Sequence, residues 1–235
     1  MYKELAKYYD SIYHWKDYKT EVTAIKELIE KNKKSDGNNL LDVGCGTGMH
    51  VKYFKDDYSC TGIDINNEMV EVAKSKVSDV SFEQGDMIDF SLKSRFDVIL
   101  CLFSSIGYVK TYSNLEKTII NFSNHLKKGG VLIIEPWFTK SVFWGGVPEM
   151  TTYDGDDVKI ARLNTTKVEG DLSIMEMHYL IAEKNEDIKH FVDIHELGLF
   201  EHDKTLDFME QANFKADYLK DGLMKDRGLF IGVKL

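Results

Sequence analysis

A chain of 235 residues with 43% hydrophobic content has room for one large domain, or for a domain with an elaboration. Its net charge of −9 excludes nucleic-acid binding through a broad basic surface, though not the capture of a small anion by one or two local cations. The apolar runs are too short to cross a bilayer, no charged and apolar leader opens the chain, and three cysteines inside apolar runs or a glycine loop read as reduced thiols; a cytoplasmic protein is expected.

Residues 1–19 are dense in aromatics: Tyr2, Tyr8, Tyr9, Tyr13, Trp15 and Tyr18. Flat apolar rings with polar tips suit a ligand pocket and equally a terminal segment packed on the core. Val22, Ile25, Leu28 and Ile29 share one face, which predicts a helix over 20–31. The apolar run 40–43 predicts a buried strand delivered into Gly44-x-Gly46-x-Gly48, with a short helix over 49–55 behind it. Glycine leaves no Cβ in the way, so backbone N–H groups there can approach a ligand closely. The spacing is not the G-x-G-x-x-G of dinucleotide folds.

Cys60 to Asp64 reads as a second strand, ending in an acid 20 residues after Gly44, the distance at which a carboxylate meets a ribose. A helix follows over 67–76. Val80 to Met87 reads as a third strand ending in Gly85-Asp86, where an acid can accept from an adenine amino group. Phe96 to Phe103 is hydrophobic without a break, as a strand buried on both faces requires, and opens into Ser104-Ser105-Ile106-Gly107-Tyr108. Leu115, Ile119, Phe122 and Leu126 mark a helix over 113–128, with Gly129-Gly130 as its stop and a fifth strand over 131–135 before Pro136-Trp137-Phe138.

From Val147 the pattern changes to alternation, over 158–166, 172–182 and 188–199, which predicts an antiparallel meander. A helix over 205–212 and two strands, 215–219 and 228–233, paired as a hairpin around Asp221-Gly222, close the chain. The expected fold is a doubly wound, Rossmann-like α/β sheet. Residues 1–140 supply the N-terminal segment and core, 141–202 an antiparallel insertion for a substrate or partner, and 203–235 the helix and hairpin that complete the sheet.

The glycine loop and the two strand-end acids, in this order and spacing, resemble the class I S-adenosylmethionine (SAM) methyltransferases. A NAD-binding reading also places an acid on a ribose but leaves the G-x-G-x-G spacing and Gly85-Asp86 unexplained. The flanks narrow the resemblance. Tyr9-Asp10, Lys16-Asp17-Tyr18, Asp89-Phe90, Phe103-Ser104-Ser105-Ile106-Gly107, Glu135-Pro136-Trp137, Glu176-x-His178-Tyr179 and Arg227-Gly228-Leu229-Phe230 look like the N,N-dimethyltransferases of dTDP-3-amino-3,6-dideoxyhexoses, nearly end to end. The resemblance implies SAM as cofactor, held by Tyr9, Tyr18, Gly44, Gly46, Gly48, Asp64, Asp86, Met87 and Leu102. It implies a dTDP-amino sugar as substrate, with Arg227 on the pyrophosphate, Ser104, Ser105 and Trp137 around it, and Tyr2 facing the sugar. A homodimer is left open. In those enzymes a histidine near the amine follows Ser-Ser-Ile-Gly; here Tyr108 stands there, so orientation of the amine, with its proton lost to water, replaces a base.

A methyltransferase of another small acceptor, or a non-catalytic binder of SAM or a nucleotide sugar, are the alternatives. His178, His190 and His195 lie on strand-like runs without clustered carboxylate or cysteine partners, so no metal is expected, and methyl transfer to nitrogen requires none. His125 reads as a helix-surface residue. No histidine is placed by sequence to activate Cys45. Arg162, one of three arginines, reads as an isolated surface charge, with anion binding as the second reading.

Overall fold

Residues 5–224 and 226–235 are described by the computed structural model; Tyr2 lies outside them. Alternation along the parallel strands dictates the layers. β1 (Asn39–Val43), β4 (Phe96–Cys101) and β5 (Leu126–Ile134) are almost wholly buried, and successive side chains enter opposite faces. Leu41, Ile99 and Leu132 pack on one side with Leu115, Ile119 and Phe122 of α5 (Tyr112–His125). Leu40, Val98 and Val131 pack on the other with Val22, Ile25 and Ile29 of α2 (Tyr18–Asn32). With β2 (Ser59–Asp64), β3 (Ser81–Gln84), β10 (Phe214–Leu219) and β11 (Leu229–Lys234) these strands make a seven-stranded sheet, ordered β10-β11-β5-β4-β1-β2-β3. β11 runs antiparallel to both its neighbours, and the remaining pairs are parallel. The strand order reverses between β1 and β4, and ligands of open α/β sheets bind outside the carboxyl ends at such a point.

The second sheet is four-stranded and antiparallel: β6 (Glu149–Asp154), β7 (Val158–Glu169), β8 (Leu172–Glu183) and β9 (Lys189–Gly198). Its inward residues Ile160, Met175, Met177 and Leu197 bury Tyr8, Ile12 and Tyr13 of the N-terminal segment, where α1 (Tyr9–Ile12) lies. The alternation names β7 to β9 but passes over β6, whose Glu-Met-Thr-Thr-Tyr-Asp is mostly exposed.

Several boundaries move for physical reasons. α2 begins at Tyr18 because the Asp17 side chain caps it, accepting from Thr20 N at 3.1 Å. α5 stops at His125, and Gly129-Gly130 lies inside β5 rather than capping the helix. Gly129 takes φ +76°, and its carbonyl accepts from Lys34 N and Ser35 N at 2.7 and 3.0 Å, so the glycines serve a bulge against the Lys34-Ser35 loop. β4 ends at Cys101, since Phe103 and Ser104 turn the chain through positive φ. The last helix, α6 (His202–Gln211), starts three residues before Thr205. His125 is buried, its Nε2 accepting from Leu92 N at 3.1 Å, and is no surface residue.

Gly44, Gly46 and Gly48 all take positive φ. At Gly48, which leads into α3 (Met49–Phe54), an added Cβ would lie 3.1 Å from the Phe82 ring and 3.2 Å from Ala73 Cβ on α4 (Asn67–Lys76). The left-handed backbone alone costs a non-glycine residue about 1–2 kcal/mol. Gly48→Ala is therefore expected to destabilise the fold by about 2 kcal/mol, or roughly 4–8 °C in Tm. Thermal unfolding that returns an unchanged Tm would remove this close approach from the account.

Candidate active site

One cavity of about 730 Å³ opens at the carboxyl ends of β1, β2 and β4 and is roofed by the antiparallel sheet. Its first wall is the glycine loop. Gly44 N donates to Ile63 O at 2.8 Å, which ties the loop to the end of β2. A Cβ on Gly44 would strike Ser105, 2.8 Å away, whereas one on Gly46 would meet nothing within 4 Å, so space lies open in front of that residue. Asp64 completes the wall: its Oδ2 accepts from Gly46 N and its Oδ1 from Asn66 N, each at 2.9 Å. Burial pushes its carboxyl above the usual range while those two N–H groups pull it back. Asp86 sits after β3, its Oδ1 accepting from Ile88 N at 2.9 Å.

The opposite wall comes from the turn after β4. Ser104 Oγ donates to Pro136 O at 2.7 Å and accepts from Arg227 Nη1 at 3.0 Å. The Arg227 guanidinium also lies 4.5 Å from the Trp137 ring and 5.1 Å from that of Phe138, so stacking and hydrogen bonding together fix it. Its Nε is buried and has no hydrogen-bond partner among the described residues, and burial lowers its pKa, opposed by Glu135. The sheet order separates the walls: Asp42 and Asp64 stand at the carboxyl ends of β1 and β2 and Asp86 just past β3, while Arg227 precedes β11 beyond β5.

Of the residues singled out in the sequence, Tyr9, Tyr18, Gly44, Gly46, Asp64, Asp86, Met87 and Leu102 line this one cavity, as do Ser104, Ser105, Tyr108, Trp137 and Arg227. Gly48 is not among its lining residues and serves the packing described above. Cys45 lines it too, but burial holds its thiol well above the ordinary range and therefore protonated.

Arg162 is no surface charge. It is buried on β7, its Nη1 donates to Tyr13 Oη at 3.2 Å and its Nη2 to Thr151 Oγ1 at 2.9 Å, and it faces the same cavity. Asn164, two positions on, is likewise buried and lines the cavity. The available signal was phase: Ile160, Arg162 and Asn164 share the inward face of an alternating strand. His195 is also buried, and Tyr108 Oη lies 2.5 Å from its Nδ1.

A profile of the methyltransferase domain family matches residues 40–130. A dTDP-3-amino-3,4,6-trideoxy-alpha-D-glucopyranose N,N-dimethyltransferase of Streptomyces venezuelae is 33% identical, over 97% of this chain and 97% of its own. A dTDP-4-amino-2,3,4,6-tetradeoxy-D-glucose N,N-dimethyltransferase of Saccharopolyspora spinosa is 34% identical, over 97% of this chain and 92% of its own. The crystal structure of Streptomyces venezuelae DesVI superposes with a TM-score of 0.91 at 33% identity, covering 98% of both chains. The fold is that of the methyltransferases that take their methyl group from SAM. Within that class the chain belongs to the family of dTDP-amino-sugar N,N-dimethyltransferases.

Asp42, near the end of β1, has a buried Oδ2 on the cavity wall that is unpaired among the described residues, and burial, then the neighbouring Asp64, push its carboxyl up to about 7. In the unfolded chain it titrates near 3.9. The folded state thus binds this proton more tightly, and the stability Asp42 contributes is full below about pH 4 and lost as pH rises through about 7. Asp42→Asn cannot titrate, so the Tm of this variant minus that of wild type is expected to be larger at pH 8 than at pH 5. Differential scanning calorimetry giving the same difference at both values would mean that Asp42 is already ionised in the fold at pH 5 and that its carboxyl is not raised.

Proposed function

We propose that the chain transfers methyl groups from SAM to the amine of a dTDP-linked amino sugar. The observation that carries this reading is a single cavity with an acidic end and a cationic end. SAM carries a sulfonium and an amino group, and Asp42, Asp64 and Asp86 supply negative charge beside the open space at Gly46. The orphaned Asp42 Oδ2 is the kind of buried acceptor that a ligand donor satisfies. Asp64 would hold the ribose and Asp86 the adenine end, with Met87, Leu102, Tyr9 and Tyr18 closing over them. A nucleoside diphosphate carries two phosphates, and Arg227 offers a guanidinium already desolvated and stacked. Near-full-length similarity to enzymes named for dTDP-amino sugars supports the same substrate class.

The bound cofactor supplies an electrophilic methyl group on a sulfonium. What the protein contributes is alignment. The β4 turn sets Ser104, Ser105 and Tyr108 between the acidic wall and Arg227, so phosphates held at one end direct the sugar nitrogen toward the other. Holding two reactants in line is worth about 7–11 kcal/mol. Trp137 is fixed for this by its indole N–H, which donates to Ser173 Oγ at 2.8 Å.

Incubation with SAM and a panel of dTDP-amino sugars, read by mass spectrometry, is expected to give products heavier by one or two methyl groups. No methylation of any amino sugar, with turnover of another acceptor, would replace this substrate class. Two variants should dissociate the ends of the cavity. Losing a charge-assisted hydrogen bond costs about 1.5–3 kcal/mol, or roughly 10–100-fold. Asp64→Ala is expected to weaken SAM binding by that factor in calorimetry, and Arg227→Ala to raise the KM of the nucleotide sugar similarly with SAM affinity kept. A collapse of SAM binding in Arg227→Ala with the sugar KM unchanged would reverse the orientation.

A further inference from the structure

Methylation of nitrogen needs its lone pair, so an amine that arrives as ammonium must first lose a proton. β9 carries Asp193 and His195 two residues apart, on the same inward face. Both are buried, and His195 lines the cavity beside Tyr108. Asp193 Oδ2 lies 3.0 Å from His195 Nε2, and Tyr108 Oη lies 2.5 Å from His195 Nδ1. An ionised carboxylate only accepts, so Nε2 carries the proton of the neutral ring and donates to Asp193. Nδ1 is then the acceptor, and the phenol O–H donates to it. A phenol oxygen engaged in this way can still accept from an N–H in the cavity.

We propose that Tyr108, His195 and Asp193 form a proton relay that takes one proton from the substrate ammonium before each methyl transfer. The inference rests on the amino-sugar reading above. The ammonium N–H bond breaks and its proton passes to the Tyr108 oxygen, while the phenolic proton passes to His195 Nδ1. The nitrogen keeps the electron pair, the phenol ends neutral, and the imidazolium is held by Asp193. The reverse hop discharges the proton to solvent when the spent cofactor leaves, so the relay is reset before the next transfer. Tyrosine, a poor base at neutral pH by itself, here needs no ionised state. A second methylation requires a second deprotonation, so one relay serves both. The other titratable or charged groups that face this chain are Tyr9 and Tyr13 from the N-terminal segment, Arg162 on β7, Tyr179 on β8, and the Lys110–Glu196 pair at the rim. Tyr108 is the catalytic residue of the three; His195 and Asp193 are positioning residues that act through it.

The test is the pH dependence of kcat/KM for wild type, Tyr108→Phe, His195→Gln and Asp193→Asn. The wild-type acid limb is expected to lie below the pKa of the free substrate amine. In Tyr108→Phe and His195→Gln it should move up to that pKa, with a loss of about a hundredfold at neutral pH that shrinks to a few-fold in alkali. Asp193→Asn should fall between. A variant-to-wild-type ratio that stays constant with pH overturns the relay and leaves the amino-sugar reading intact. If wild type methylates no amino sugar, that reading fails first, and the relay with it. Should a variant fail to fold, imidazole 15N NMR of the wild-type protein still decides. Protonation of His195 at Nε2 with Nδ1 as acceptor is expected at pH 8, and a proton on Nδ1 overturns the proposal.

Discussion

The site depends on a turn in the left-handed region at the end of the central strand. Phe103 and Ser104 take φ of 50° and 63°, which a side-chain-bearing residue adopts only under constraint. Two bonds from the adjacent strand end supply it. The buried Glu135 carboxylate accepts from Phe103 N at 2.7 Å, and Ser104 Oγ donates to Pro136 O. Because the chain turns there, Ser105 can press against Gly44, the short helix Ser105–Val109 can carry Tyr108 to the cavity, and Ser104 can receive Arg227. The N-terminal segment uses the same turn as its anvil: Lys16 Nζ lies 4.2 Å from the Phe103 ring centre and Tyr13 meets that ring edge-on at 5.2 Å.

The N-terminal segment is tied in at further points. Thr47 Oγ1 in the glycine loop donates to Asp10 Oδ1 at 2.6 Å, Lys76 on α4 pairs with Asp10, and Lys16 pairs with Glu21. Glu21 in turn faces His50 Nε2 at 2.9 Å, and burial, which Glu21 opposes, lowers the pKa of that imidazole. The Asp10 and Glu21 bonds to Thr47, Lys76 and His50 run between elements distant in sequence, so the segment and the glycine loop are ordered together, and Tyr9 and Tyr18 take their places on the cavity wall as part of that network.

The parts of the site legible in the sequence were those governed by local rules. A parallel strand buried on both faces must be a continuous apolar run, so β1, β4 and β5 were visible, and the acids at strand ends could be placed on one rim. The glycine spacing was visible for the same reason. What stayed hidden depends on long-range pairing or on phase. Tyr108 and His195 are 87 positions apart, and only the register of a second sheet against the β4 turn joins them. Arg162 looked like a surface charge because an alternating strand does not announce which of its faces is inward. Gly129-Gly130 imitated a helix stop, since a bulge and a helix end ask for the same backbone freedom.

The segregation of charge along the cavity bears on the order of events in turnover. On the proposed reading, Asp42, Asp64 and Asp86 attract a ligand that is positive before the reaction and has lost its sulfonium charge afterwards. At the far end Arg227 faces the same two phosphates throughout. The acidic wall therefore loosens its grip on its own occupant once the methyl group has gone, while the nucleotide sugar stays held. A spent cofactor could leave and be replaced with the half-finished sugar still in place, and two methyl groups could be added in one residence of the substrate. Processivity of this kind needs no moving lid; it follows from two poles of charge, only one of which the chemistry discharges.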